Sequence, residues 1–180
     1  MKNRTGIFSL TLLTALMSAT AVQAHSDATI GAGFLHPISG LDHLLALLAV
    51  GIWAGRAGSK IKWRVPSIFI AFTLLGAAIT MHGLTLPSIQ TVVFSSVAIF
   101  FVLAAISIRL STRTAGIVTA MFAFFHGAAH GTIAGAAPIS FVAGFLAASI
   151  VVLGIGVIMG AALTSQRNNP IDQKRPKHCA

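Results

Sequence analysis

Five long stretches of this 180-residue chain contain almost no charged residues, and this pattern restricts the folds that the chain can adopt. Each stretch is long enough to cross about 30 Å of hydrocarbon at about 1.5 Å of helix rise per residue. None of them alternates apolar and polar residues as the strands of a transmembrane barrel do. We therefore predict an all-α fold, a polytopic transmembrane helix bundle. Its five spans are Ile30–Ala54, Pro66–Leu86, Ile89–Ile108, Thr114–Ala137 and Pro138–Thr164.

The composition supports a membrane protein and argues against a nucleic-acid partner. Charged residues make up 8% of the chain and the mean hydropathy is +0.89, whereas a soluble domain has about 25% charged residues. The net charge of +9 could indicate nucleic-acid binding. The basic residues, however, lie between and after the apolar stretches, where membrane topology explains them. The expected partner is therefore the lipid bilayer.

The N-terminus has the features of a secretory signal peptide. Lys2 and Arg4 precede an apolar segment, Ile7–Ala21, and the small residues Val22 and Ala24 occupy the positions that signal peptidase reads. We expect cleavage after this site, with an uncleaved first helix as the alternative. The expected organisation is a signal peptide at 1–24, a helix bundle at 25–164 and a disordered cytoplasmic basic tail at 165–180.

Positive charge falls on every second connection between the predicted spans. The basic residues follow the first, third and fifth spans, as Arg56, Lys60, Lys62 and Arg64, then Arg109 and Arg113, then Arg167, Lys174, Arg175 and Lys177. The connections Thr85–Ser88 and Gly135–Ser140 carry no charge. Because cytoplasmic loops are enriched in Lys and Arg, we predict a bacterial inner-membrane protein with a periplasmic mature N-terminus and a cytoplasmic C-terminus.

The first predicted span contains residues that interrupt a helix. Pro37 and Gly40 break the pattern, and Ser39 with Asp42 fits a capping arrangement for a helix that starts near Leu41. Broken segments at membrane depth are tolerated where they line a cavity, and they mark binding sites in many transporters. We therefore expect the break to lie beside a functional site.

Glycines recur at intervals of four residues in the last two spans. Gly127, Gly131 and Gly135 form one series, and Gly156 and Gly160 form another. Small residues at this spacing let two membrane helices approach closely. We expect both series to pack against neighbouring helices.

Two histidine clusters lie within the apolar spans. His36, Asp42 and His43 belong to the first, and His126 and His130, which share one helix face, belong to the second. Imidazole and carboxylate groups are costly to place in a bilayer, so such clusters indicate function. Their donor atoms suit a borderline divalent transition metal.

Two further histidines are candidates for the same site. His82 is predicted to lie at the same depth as the two clusters, near the outer face of the membrane, and His25 would carry a free α-amine after cleavage. The ordinary alternatives are an interfacial histidine and a mobile terminus. Cys179 is the one cysteine, so the chain has neither an internal disulfide nor a cysteine-rich metal site.

The two clusters resemble the signatures of a known family, the HupE/UreJ family of hydrogenase and urease accessory membrane proteins. The first signature is matched by His36-Pro37-x-x-Gly40-x-Asp42-His43-Leu44-Leu45, continuing through Ala49-Val50-Gly51-x-Trp53-Ala54. The second is matched by Phe125-His126-Gly127-x-Ala129-His130-Gly131. The similarity extends over the whole chain, including the signal peptide.

The resemblance implies uptake of nickel, or in some members cobalt, for the maturation of metalloenzymes. It also implies that the functional metal residues are His36, Asp42, His43, His126 and His130. One position departs from the family pattern, because Ile133 stands where a glutamate often follows the second signature. This difference removes a potential anionic ligand or proton acceptor.

We therefore expect a permease that transports Ni²⁺ or Co²⁺ and holds no tightly bound cofactor, rather than an enzyme. Two alternatives remain at this stage. One is a membrane-embedded metalloenzyme or haem protein, and the other is an accessory protein that binds metal without transporting it. The oligomeric state and the recipient metalloenzyme also remain open.

Overall fold

The structure is a computed structural model that describes residues 29–106, 108–133 and 139–167. Every regular element in these ranges is a helix, in agreement with the predicted all-α fold. The helices are α1 (Ile30–Ser39), α2 (Leu41–Ala57), α3 (Ser59–Lys62), α4 (Arg64–Met81), α5 (Ile89–Ala105), α6 (Thr112–Ile133) and α7 (Ile139–Arg167). The predicted signal peptide, His25, Gly135, Cys179 and the tail beyond α7 lie outside the described residues.

Two helical stretches are long and apolar enough to cross a membrane. They are Ser59–Met81, which joins α3 and α4, and Ile139–Ser165 within α7. A third span is present if α1 and α2 together count as one broken span. Helix α5 is apolar but has only 17 residues, and α6, with 22 residues, is not among these candidate spans. The described residues thus support two or three spans, and the count of five stays a prediction.

The predicted break in the first span is present. Helices α1 and α2 meet at Gly40 and are bent by 77° relative to each other. The second helix starts at Leu41, as expected, but the predicted capping was wrong. Gly40 is the N-cap residue, and the Ser39 hydroxyl donates to the carbonyl of His36 instead. The Asp42 carboxylate bonds the ring of the neighbouring His43 and also receives backbone hydrogen bonds within the first turn of α2.

Several predicted span boundaries differ from the helix ends by a few residues, and the second and last spans are examples. Helix α4 ends at Met81, before the expected Leu86, because Gly83 has a φ of 93° that the helix cannot continue through. Helix α7 continues to Arg167, past the expected end at Thr164. The helical part of the second span is therefore shorter than predicted and that of the last is longer.

Glycines bring the main helix pairs into backbone contact. A Cβ atom on Gly127 would collide with the backbone of Thr73, which places α6 directly against α4. Gly51 and Gly156 approach each other in the same way between α2 and α7, and Gly160 lies against Ile52. The expected close packing of both glycine series is thus confirmed at the described positions.

The basic connections lie at one end of the bundle. The Arg56 guanidinium at the end of α2 donates to the carbonyl of Ala104 at the end of α5, at 2.9 Å. The buried Trp53 indole donates to the carbonyl of Ile108, also at 2.9 Å. Arg64 and Arg113 line one shared groove at the starts of α4 and α6. This common end is what the charge pattern requires if these connections face the cytoplasm.

Thiol labelling tests the predicted orientation. Thr85→Cys and Ser59→Cys each place a thiol at an exposed position, the first in the uncharged connection after α4 and the second in the basic connection after α2. With Cys179→Ser as background, a membrane-impermeant maleimide should label the first variant in spheroplasts and leave the second unlabelled. Labelling of the second variant alone would show that the orientation is reversed.

Substitution of the interhelical glycines tests the packing. Gly127→Ala should destabilise the protein by about 1–3 kcal/mol, because the new methyl group meets backbone that cannot move aside. Gly154→Ala is the matched control, since a Cβ atom at this helical position meets nothing within 4 Å. The Gly154→Ala variant should be as stable as the unmodified protein or more stable by up to about 1 kcal/mol. Thermal unfolding in detergent measures both effects, and equal midpoints would contradict the packing.

Candidate metal centre

Four histidine rings from three helices meet in one cluster, called the histidine cluster here. His36 lies in the last turn of α1 and His43 in the first turn of α2, so the break at Gly40 places both beside α6. His126 and His130 lie one turn apart on α6. The ring centroids are 4.5 Å apart for His43 and His130, 5.0 Å for His36 and His130, and 5.7 Å for His43 and His126.

A carboxylate orients the His43 ring. Oδ1 of Asp42 lies 2.9 Å from Nδ1 of His43. An ionised carboxylate only accepts hydrogen bonds, so the Nδ1–H group of His43 donates and Nε2 of the neutral ring keeps its lone pair. This Nε2 atom is buried and has no hydrogen-bond partner. Such a bond fixes the tautomer of a metal-binding histidine, so Nε2 is the atom available for a metal.

Ser96 of α5 orients the His126 ring. The Ser96 hydroxyl lies 2.8 Å from Nε2 of His126 and donates to the carbonyl of Val93 at 2.6 Å. A hydroxyl has one proton, so it accepts from the Nε2–H group of His126. In this tautomer, Nδ1 of His126 is the atom that carries the free lone pair.

His130 lies against a small cavity between the helices. Its Nε2 atom is buried without a hydrogen-bond partner, and its ring lies 4.7 Å from that of Phe145 on α7. The cavity has a volume of about 10 Å³ and is also lined by His43 and His126. A space of about 10–15 Å³ holds a single water-sized particle. The cluster therefore encloses room for one small ion.

The rings are close together but do not form a finished coordination shell. Within the described ranges, no group of three or more His, Cys, Asp or Glu side chains is arranged to hold a metal ion. His43 and His126, for example, meet edge to face with 83° between their planes. A histidine binds a metal in the plane of its ring, so these side chains must turn before several of them can share one ion.

The comparisons with known proteins agree with the signatures in the sequence. The family model described as "HupE / UreJ protein" matches residues 10–175. The chain belongs to the HupE/UreJ family. Protein HupE of Rhizobium leguminosarum bv. viciae is 42% identical over 142 residues, which is 76% of this chain and 73% of that protein. No solved structure matches the chain.

The remaining candidate residues of this HupE/UreJ protein are placed differently. His82 is the exposed C-cap residue of α4 and makes no ring contact with the histidine cluster in the described part of the chain. His82 was predicted to lie at the same depth as the other histidines, but it lies outside the histidine cluster. His25 and the side chain of Ile133 lie outside what the structure describes.

Three polar residues that the sequence motifs did not indicate surround the cluster. Ser96, Thr73 and Ser149 come from α5, α4 and α7, and all three are buried. The last two line the cavity with Phe145. A hydroxyl in the middle of an apolar span was the available signal, but nothing in the sequence pairs Ser96 with a particular histidine.

Two adjacent serines test the role of Ser96. Ser96→Ala leaves Nε2 of the buried His126 without its partner, so it should destabilise the protein by about 1–3 kcal/mol. Ser95→Ala is the control, because its exposed hydroxyl bonds only the carbonyl of Thr91 on its own helix. The control should stay within about 0.5 kcal/mol of the unmodified protein. Equal thermal midpoints of the two variants in detergent would contradict the assigned bond.

Proposed function

We propose that this protein is an inner-membrane permease for Ni²⁺ or Co²⁺ that serves the maturation of a hydrogenase- or urease-type metalloenzyme. The transported ion binds in the histidine cluster, with Asp42 as the anionic group. Membership of the HupE/UreJ family supports the accessory role. The observation that carries the proposal is the meeting of four imidazole rings with the one carboxylate side chain of the described residues.

The exposure of these residues supports a route into the bundle. The side chain of Asp42 is 29% exposed and that of His43 is 16% exposed. His126 is 3% exposed and lies beyond His43, between α4, α5 and α6. An ion would therefore meet the carboxylate first and pass from its hydration shell to successively more buried imidazoles.

The free donor atoms support a metal cation as the cargo. Nε2 of His43 and Nε2 of His130 are buried nitrogen atoms without partners, although buried polar groups are normally hydrogen-bonded. Neutral imidazole is a good ligand for nickel, cobalt and zinc. The cavity of about 10 Å³ between them suits a bare ion and is far too small for a porphyrin. The structure thus favours an ion over the haem alternative.

The predicted orientation supplies a driving force. The membrane potential, negative inside, favours inward movement of a divalent cation by about 4.6 kcal/mol per 100 mV. Transport also requires that the ion leaves the site, so moderate affinity is an advantage. The histidine side chains must turn before several of them can bind one ion, and this requirement is compatible with reversible binding.

Metal uptake by the matching alanine variants tests the proposal. His43→Ala, His126→Ala and His130→Ala each remove a donor from the cluster and should lower the initial rate of ⁶³Ni²⁺ or ⁵⁷Co²⁺ uptake at least tenfold. His82→Ala removes an exposed imidazole outside the cluster and should change the rate less than twofold. The rates are measured in proteoliposomes at equal protein content, with an imposed potential. Unchanged uptake by His126→Ala and His130→Ala would contradict the proposal that this protein is a permease.

The same preparations separate transport from metal binding alone. An accessory protein without transport activity would bind the metal in detergent, lose this binding in His43→Ala, and accumulate no metal in sealed vesicles. A permease shows both binding and accumulation. The two measurements therefore assign the protein to one class or the other.

A further inference from the structure

A second cavity, which shares no lining residue with the cavity of the histidine cluster, lies between the N-terminal halves of α4 and α6. This groove has a volume of about 520 Å³, within the range of about 300–1,000 Å³ typical of ligand sites. Arg64 and Arg113 lie at its rim, and its walls are almost entirely apolar. We propose that it binds one anionic phospholipid, with the phosphate at the two arginines and an acyl chain along the walls.

The two arginines have no acidic partner within the described residues. In the described ranges neither makes an ion pair or hydrogen bond with another residue. The one carboxylate side chain in these ranges is Asp42, which is bonded to His43. Both arginines are exposed at the same groove, so they are available to an anion, and a guanidinium group suits the oxygens of a phosphate.

The walls of the groove fit an acyl chain. From Arg64 to Phe72, and from Arg113 to Ala120, the groove follows both helices for about two turns, or about 11 Å. Ile117 on this wall is 70% exposed. Gly116 keeps the floor open, because a Cβ atom there would already approach Ile68 to 3.3 Å. Hydrocarbon is the natural occupant of such a surface below a cationic rim.

The surroundings place the rim at the level of lipid headgroups. Trp63 directly precedes Arg64, is 59% exposed, and has the Lys62 ammonium 5.7 Å from its ring centre. Exposed tryptophan and lysine residues are typical of the membrane–water interface. Ser59–Met81 is one of the two helical stretches that are long and apolar enough to cross a membrane. Basic pockets between such helices bind anionic headgroups in other membrane proteins.

Native mass spectrometry of the detergent-purified full-length protein tests the lipid site. Titration with phosphatidylglycerol should give one saturable adduct, and phosphatidylcholine should bind at least tenfold more weakly. Loss of each arginine should weaken the phosphatidylglycerol adduct about fivefold, and Arg64→Gln/Arg113→Gln about 30-fold. Lys60→Gln/Arg109→Gln removes the same charge from exposed positions outside the groove and should change binding less than threefold.

A second pair of variants tests the apolar wall without changing charge. Gly116→Leu fills the floor of the groove and should weaken the adduct at least fivefold. Gly154→Leu, at an open position on α7, should leave it unchanged. Circular dichroism confirms that each variant is folded.

Three results would overturn the proposal. The first is equal binding of phosphatidylglycerol and phosphatidylcholine. The second is an equal loss of phosphatidylglycerol binding in Arg64→Gln/Arg113→Gln and in Lys60→Gln/Arg109→Gln. The third is unaltered binding in Gly116→Leu. A protein subunit that copurifies with the unmodified chain and is lost from Arg64→Gln/Arg113→Gln, with no lipid preference, would assign the groove to a protein partner instead.

Discussion

The contact between α4 and α6 at glycine positions is the constraint on which the histidine cluster depends. Gly127 follows His126 and Gly131 follows His130, and both glycines face the backbone or a side chain of α4 directly. Larger residues at these positions would move α6 away from α4. The imidazoles would then leave the space in which they meet α1, α2, α5 and α7. The small-residue contacts that hold membrane helices together here also set the position of the functional side chains.

The break between α1 and α2 positions the other two histidines of the cluster, His36 and His43. In a continuous helix, His36 and His43 would stand about two turns apart along one axis. The break at Gly40 and the bend of 77° bring their ring centroids to 6.0 Å and turn both towards α6. The same segment supplies Asp42, whose charge is satisfied by the adjacent imidazole. An apolar bundle thus holds a polar cluster in which Asp42 bonds His43 and Ser96 bonds His126, whereas Nε2 of His43 and Nε2 of His130 have no hydrogen-bond partner.

The helix pair α4–α6 contributes to the histidine cluster towards one end and to the basic groove towards the other. The histidine cluster contacts the C-terminal half of α6, and the basic groove lies between the N-terminal halves of α4 and α6. A lipid bound in the groove would contact both helices of the pair that positions His126 and His130. Through such a lipid, the composition of the bilayer would act on the same packing that forms the proposed metal site.

The sequence by itself determined the helical class, the break before Leu41, the close helix contacts at glycine and the family, because each depends on local pattern. Residues such as His126 and His130 are recognisable because an imidazole in an apolar span is rare and costly. The tertiary structure alone decided that Ser96 bonds His126, that His82 stays outside the cluster, and that Arg64 and Arg113 share a groove. These relations join residues that are distant in the chain, and they depend on the rotation and depth of one helix against another. Local hydrophobicity and spacing contain no information about that rotation.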